Sequence, residues 1–245
     1  MSTLGWGRGR KLGRVALVAF ASLALVGCVN GLIGIRGSGN TTTETRDVDG
    51  FTEIVLEGSG EVNIEIGEAE ALTIEAEDNL ISRLSSDVEN GRLVLGTTGS
   101  ISPTRGIVYT ITATELDGIT VSGSGDVAVA DATASTFTTN IDGSGKVDLA
   151  NLTADRLEVT ISGSGDVDVT GTSDELFVEI PGSGDFDGVG LESSTGDVSI
   201  SGSGVAVVNV ADTLNATVSG SGDIEYLGSP AVSSTISGSG TITQG

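Results

Sequence analysis

The side chains that could do chemistry in this sequence are carboxylates. Thirty-four Asp and Glu stand against 11 Lys and Arg, and there is no histidine. Without imidazole the usual general base, the Ser-His-Asp nucleophile system and most zinc sites are missing. The single cysteine, Cys28, has no disulfide partner. The acids fall into two columns of a repeat: Asp126, Asp166, Asp185 and Asp223, then Asp148, Asp168, Asp187 and Glu225. Asp166, Asp168, Asp185 and Asp187 lie on successive repeats and are candidate oxygen ligands for Ca²⁺. The Gly-Gly-x-Gly-x-Asp nonapeptide of Ca²⁺-binding rolls is absent. A solvated acidic face that discourages sheet aggregation uses the same residues. The expectation is therefore no metal and no cofactor. Lys146, one repeat from both Asp126 and Asp166, reads as charge compensation between them. A polysaccharide-cleaving site needs paired carboxylates beside groups that hold sugar. The aromatics beyond the leader are only Phe51, Tyr109, Phe137, Phe177, Phe186 and Tyr226, and the Phe positions mostly fall on apolar columns. The chain reads as non-enzymatic, with no catalytic residue.

These acids are positioned by a repeat. Gly-Ser-Gly begins at Gly123, Gly143, Gly163, Gly182, Gly202, Gly220 and Gly238, in steps of 20, 20, 19, 20, 18 and 18 residues. Two residues before each turn stand Val121, Ile141, Ile161, Ile180, Ile200, Val218 and Ile236. Two residues after it stand Val127, Val147, Val167, Phe186, Ala206, Ile224 and Ile242. Alternation on both sides predicts half-buried strands, and a fixed short period predicts stacked units. Coils that wind once per repeat place like on like at about 4.8 Å. The predicted fold is all-β: a right-handed parallel β-helix, flattened into a two-sheet solenoid. The turn residues Gly123, Ser124, Gly125, Gly143, Ser144, Gly145, Gly163, Ser164 and Gly165 are structural. Their glycines are expected at positive φ, their serines in a hydroxyl ladder or bonded to turn amides. A phosphate-cradling loop would need a following helix and a P-loop Lys, which are missing.

Residues 1–27 read as a signal peptide: basic residues 8–14, then a 12-residue apolar run, Val15 to Val26, too short to span a bilayer. Leu25-Val-Gly-Cys28 resembles the bacterial lipobox, so Cys28 is the expected lipidation site. Val29 after it resembles outer-membrane sorting in a two-membraned cell. Beyond the leader 34 acids face 7 bases, a surface that repels nucleic acid. Residues 28–46 read as lipidated Cys and flexible tether, with part of it able to form a strand instead.

Residues 47–245 form one domain, with decorated coils at 47–118 and regular repeats at 119–245. Gly58-Ser-Gly60 precedes Gly123 by 65 residues, close to three coils. Within that interval Asp78 to Leu84 predicts a short helix with an acidic N-cap, Leu80, Ile81 and Leu84 facing inward, as part of a cap on the first coil. After Glu225 no residue is charged. An uncharged edge predicts a weak homo-oligomer through the C-terminal coil.

Val48-Asp-Gly-Phe-Thr-Glu-Ile-Val-Leu-Glu-Gly-Ser-Gly60, Leu72-Thr-Ile-Glu-Ala-Glu-Asp-Asn79 and the Ser-Gly-Ser-Gly-Asp-Val repeats resemble the putative autotransporter adhesin, head GIN domain family. The resemblance covers about residues 47–243. It implies a pectin-lyase-like superhelix without catalytic residues, on the bacterial envelope, with adhesion as its role. No β-barrel follows, unlike a true autotransporter. The functional expectation is a lipid-anchored envelope protein that binds a surface glycan or protein ligand. A self-associating envelope scaffold and a carbohydrate-active β-helix enzyme are the alternatives.

Overall fold

The computed structural model describes residues 34–245. Its first strands are β1 (Ile35–Arg36), β2 (Thr41–Arg46), β3 (Glu53–Leu56), β4 (Glu61–Ile66), β5 (Ala71–Glu77), β6 (Leu84–Glu89), β7 (Arg92–Thr97), β8 (Ile101–Ser102) and β9 (Val108–Ala113). The regular coils follow: β10 (Gly118–Val121), β11 (Asp126–Ala130), β12 (Thr133–Ile141), β13 (Lys146–Ile161), β14 (Asp166–Ile180), β15 (Phe186–Ile200), β16 (Val205–Val218), β17 (Asp223–Leu227), β18 (Ala231–Ile236) and β19 (Thr241–Gln244).

Each regular coil has two arms joined by Gly-Ser-Gly. One parallel ladder runs β7, β3, β10, β12, then through the second halves of β13 to β16, to β18. The other runs β9, β4, β11, then through the first halves of β13 to β16, to β17 and β19. The register is the one the repeat demands: Ile141 opposite Ile161, and Val127 opposite Val147. The stacked fold is a parallel β-helix.

The apolar columns are the core. Val121, Ile141, Ile161, Ile180, Ile200 and Val218 have no exposed surface. Burying such a side chain contributes about 1.5–3 kcal/mol. The last member of the column, Ile236, is 49% exposed. Thr139, between Ile119 and Val159 on a neighbouring column, is fully buried and its hydroxyl has no partner among the described residues.

Four sequence expectations change here. The glycines of the regular turns do not have positive φ; among the Gly-Ser-Gly turns of the solenoid only Gly60 does. They are required by close approach instead. A Cβ on Gly143 would fall on the Gly123 carbonyl oxygen, and one on Gly145 would meet Val121 at 2.8 Å. The turn ladder is carried by backbone rather than hydroxyls: Ser144 N–H donates to Gly123 C=O and Ser164 N–H to Gly143 C=O, both at 3.0 Å.

The 65 residues before Gly123 are not three stacked coils. Ile54 pairs with Ile119 and Val62 with Val127, so the Gly58 coil lies directly against the Gly123 coil. The chain between them folds beneath. β7 and β9 stack under β3 and β4, and antiparallel strands β6, β5 and β2 close the end.

The predicted helix is one 3₁₀ turn, Ile81–Arg83, with Leu80 and not Asp78 at its N-cap. Leu80, Ile81 and Leu84 are buried as expected. Asp78 accepts from the Ser38 hydroxyl.

Within the predicted tether, residues 41–46 form strand β2 on β5, and residues 35–36 pair with β8. Gly37-Ser-Gly39 is not a solenoid turn. It wraps the buried Glu77 carboxylate, which accepts from the N–H groups of Gly39 (2.7 Å) and Thr104 (2.8 Å) and from the Thr104 hydroxyl. These bonds outweigh the desolvation and hold the Glu77 carboxyl below its ordinary range.

Candidate functional site

Cys28 lies outside the described residues. The acidic columns can be placed. In the first, three carboxylates accept from a backbone N–H of the next coil: Asp126 from Lys146 (3.2 Å), Asp185 from Val205 (2.9 Å) and Asp223 from Thr241 (2.8 Å). These three carboxylates therefore fix the chain just after the turns at Gly143, Gly202 and Gly238. Lys146 does not neutralise Asp126 and Asp166 through its ammonium. Its Nζ sits 2.9 Å from Asp148 and 2.5 Å from Asp168, which raises its pKa. Hydrogen bonding to the charged form favours it.

Of the four candidate Ca²⁺ ligands, Asp168 is engaged by Lys146, Asp185 by the Val205 amide and Asp187 by the Val189 amide. Among the described residues no three metal-ligating side chains converge. On the opposite flank Arg156 is fixed by Glu158 (2.5 Å) and Glu175 (2.9 Å), and its guanidinium lies 3.6 Å from the Phe177 ring centroid. Phe51, Phe137, Phe186 and Tyr109 are buried. They offer no platform for a sugar. Burial pushes the Tyr109 phenol up to about 12.

The concave feature is elsewhere, at the corner where β13 to β16 pass from one arm to the other. Register shifts mark this corner between Leu149 and Leu152, Asp168 and Thr170, and Gly188 and Glu192. One inward column here holds small residues: Ala134, Ala154, Ser173 and Ser193. On the next coil Val210 takes the place in register with Ser193. Small side chains where other columns carry Ile or Val leave a trench of about 670 Å³ across four coils. One rim is Thr133, Thr153, Thr172 and Glu192; the other is Ser135, Asp155, Asp174 and Ser194; Glu115 stands at one end. The floor hydroxyls of Ser173 and Ser193 are 4% and 3% exposed and share a hydrogen bond of 2.9 Å.

Sequence reasoning named none of these residues. The signal was there: Ala134, Ala154, Ser173 and Ser193 recur at the repeat spacing, and each is smaller than the Ile and Val of the column before the Gly-Ser-Gly turns. The trench is a polar groove lined by four carboxylates and by Ser and Thr hydroxyls.

A structure from Bacteroides fragilis NCTC 9343, described as a putative adhesin, matches with TM-score 0.82 and 28% identity, over 86% of this chain and 100% of that one. One from Parabacteroides distasonis ATCC 8503, described as a putative lipid binding protein, matches with TM-score 0.73 and 27% identity, over 86% and 99%. Another from the same strain, described as a putative adhesin, matches with TM-score 0.66 and 25% identity, over 86% and 100%. No curated protein matches the chain. The family model described as "Putative auto-transporter adhesin, head GIN domain" matches residues 50–230. The chain belongs to that family.

Proposed function

We propose that this chain is a non-enzymatic adhesin of the bacterial surface, held to the envelope by a lipid on Cys28. The observation that carries the reading is membership of the adhesin family together with a regular solenoid that presents an extended polar trench. Rigid stacked coils present a fixed, extended surface to a partner. No helix among the described residues is long and apolar enough to cross a membrane, which fits attachment through an acyl chain. The test is adherence of bacteria that display the chain, compared with Cys28→Ser, to cultured cells and arrayed glycans. Adherence that falls when Cys28→Ser releases the protein supports the reading. Display without any gain in adherence would sink it.

A second reading, self-association through the last coil, is favoured by one observation. Every residue of β18 is exposed, with Val232 at 38% and Ile236 at 49%, although both continue inward columns. Light scattering decides it: concentration-dependent mass that Thr241→Lys plus Thr243→Lys removes supports association, and a monomer throughout refutes it.

A further inference from the structure

We infer that the cap at the N-terminal end of the solenoid is a docking surface for the anionic lipid headgroups of the membrane that holds the Cys28 lipid. The inference rests on the anchor reading and adds which face meets the bilayer. Of the 7 bases beyond the leader, Arg46, Arg92, Lys146 and Arg156 are ion-paired. Arg36, Arg83 and Arg105 are exposed and make no ion pair or side-chain hydrogen bond among the described residues. All three belong to one cap. The Asn79 side-chain amide donates to the Arg36 carbonyl (2.8 Å), Thr98 N–H donates to the Arg83 carbonyl (2.7 Å), and Arg105 follows Thr104, which holds Glu77. The cap segments 34–40, 78–83 and 97–106 contain one exposed acid, Asp78, already bonded to the Ser38 hydroxyl. The Glu77 charge beneath them is held by the Gly39 and Thr104 donors. Free bases are thus segregated at one end of a chain with 34 acids. Their planar guanidinium groups suit phosphate oxygens. At physiological salt charges act over about 8 Å, so the acidic coils farther on do not cancel them.

Chain length points to the same surface independently. Five residues, 29–33, separate Cys28 from Gly34. Extended chain covers at most about 3.3–3.6 Å per residue, so an acyl group on Cys28 would keep Gly34 within roughly 20 Å of the membrane surface. The cap begins there: the N–H groups of Ile35 and Gly37 donate to the carbonyls of Ser100 and Ser102, at 2.9 and 3.0 Å. Ile35, beside Arg36, is 42% exposed, an apolar side chain placed for the boundary between headgroups and acyl chains. The regular coils build on the edges of β3 and β4 opposite β7 and β9, so they stack away from the cap. A bilayer against the cap leaves them open to a partner.

The test reads the arginines directly. The full chain is reconstituted in vesicles of phosphatidylcholine, with or without phosphatidylglycerol, and treated with phenylglyoxal; peptide mass spectrometry gives the modification rate at each arginine. An anionic surface favours each nearby base by about fivefold. Rates at Arg36, Arg83 and Arg105 should therefore fall about fivefold or more when phosphatidylglycerol is present and recover as salt is raised. Arg92 and Arg156, already paired, should react alike on both vesicles. Arg36→Ser plus Arg105→Ser removes two exposed side chains without contacts, so the fold should be kept by circular dichroism while Arg83 loses its protection. Equal cap rates on the two vesicles overturn the inference, as does slowing of Arg92 and Arg156 to the same degree, or an Arg83 that stays protected in the double variant. Cap protection on phosphatidylcholine that grows with protein density would assign the surface to the acidic coils of a second copy, and also overturns it. The acyl mass on Cys28 is read from the same digest. Its absence sinks the anchor, while the arginine rates report separately on the cap.

Discussion

Gly163→Ala separates two reasons for a glycine. Its φ lies outside the positive region, so an ordinary expectation is that Ala stabilises by about 0.4–1 kcal/mol through the unfolded chain. The stacking predicts the opposite. The new methyl would lie on the Gly143 carbonyl oxygen, with the Asp142 oxygen at 3.0 Å, and both are backbone of the neighbouring coil. That coil cannot rotate away; it must separate. Separation stretches the Ser164 N–H to Gly143 bond (3.0 Å) and the Ser162 N–H to Ile141 bond (2.8 Å). Two such bonds are worth about 2 kcal/mol, and overpacking adds about 1–3. The expected cost is about 3–5 kcal/mol, a fall in Tm of about 10 °C in a domain of this size. The comparison is Gly91→Ala. Gly91 has φ of 79° and open space around its Cβ position, so it should cost only the left-handed backbone strain, about 1–2 kcal/mol. Thermal unfolding followed by far-ultraviolet circular dichroism gives both numbers. A Gly163→Ala protein that melts with wild type, or above Gly91→Ala, would refute the close-approach argument.

Three further predictions follow from the core and the cap. Ile161→Asp buries an unpaired carboxylate in a column with no exposed surface and should cost the cooperative fold, whereas Ser162→Asp, exposed one residue away, should be tolerated; equal melts would contradict the facing of the strand. Thr139→Val removes a buried hydroxyl without a partner and restores the aliphatic column, so Tm should rise by the equivalent of about 1 kcal/mol; a fall would show that the hydroxyl is satisfied. Glu77 has a folded pKa below its ordinary 4.5, so its contribution is fully present above about 4.5 and is lost as pH falls through the folded value. Hydrogen exchange at the Gly39 and Thr104 amides should accelerate in that acid window in wild type and be fast at every pH in Glu77→Gln; pH-independent protection of wild type would refute the latch.

The regular part of the fold could be read because identical spacing places identical residues in register. Ile141, Ile161 and Ile180 announce both their strand and their neighbour. The first 118 residues resist the same treatment. Gly58 and Gly123 are adjacent in space but no period connects them, since the chain between them pairs antiparallel and returns. Glu77 looks like any other acid in Leu72-Thr-Ile-Glu-Ala-Glu-Asp-Asn79. Only tertiary contacts with residues 37–39 and 104 show that it is buried. The acidic columns were visible, but their partners were not. A carboxylate that accepts an amide 18 to 20 residues on, or a lysine that turns to Asp148 and Asp168, depends on side-chain direction that spacing does not encode. The trench escaped notice for a related reason: small residues at one column read as tolerated variation until their burial is known.

The adjacency of the Gly58 and Gly123 coils gives the molecule a direction of growth. The coil built from β3 and β4 is held on one side by β7 and β9, which are made later, so it has no complete neighbour until residue 113 has been synthesised. The Gly118 coil is laid on β3 and β4 across 65 residues, and from Thr133 onward each coil pairs with one already finished at a sequence separation of about twenty residues. Assembly is thus one slow closure involving distant segments, followed by fast templated additions. Coils can be removed or duplicated beyond Gly125 by whole-repeat edits while the template survives. Loss of β3 or β4 removes the surface on which every later coil is laid.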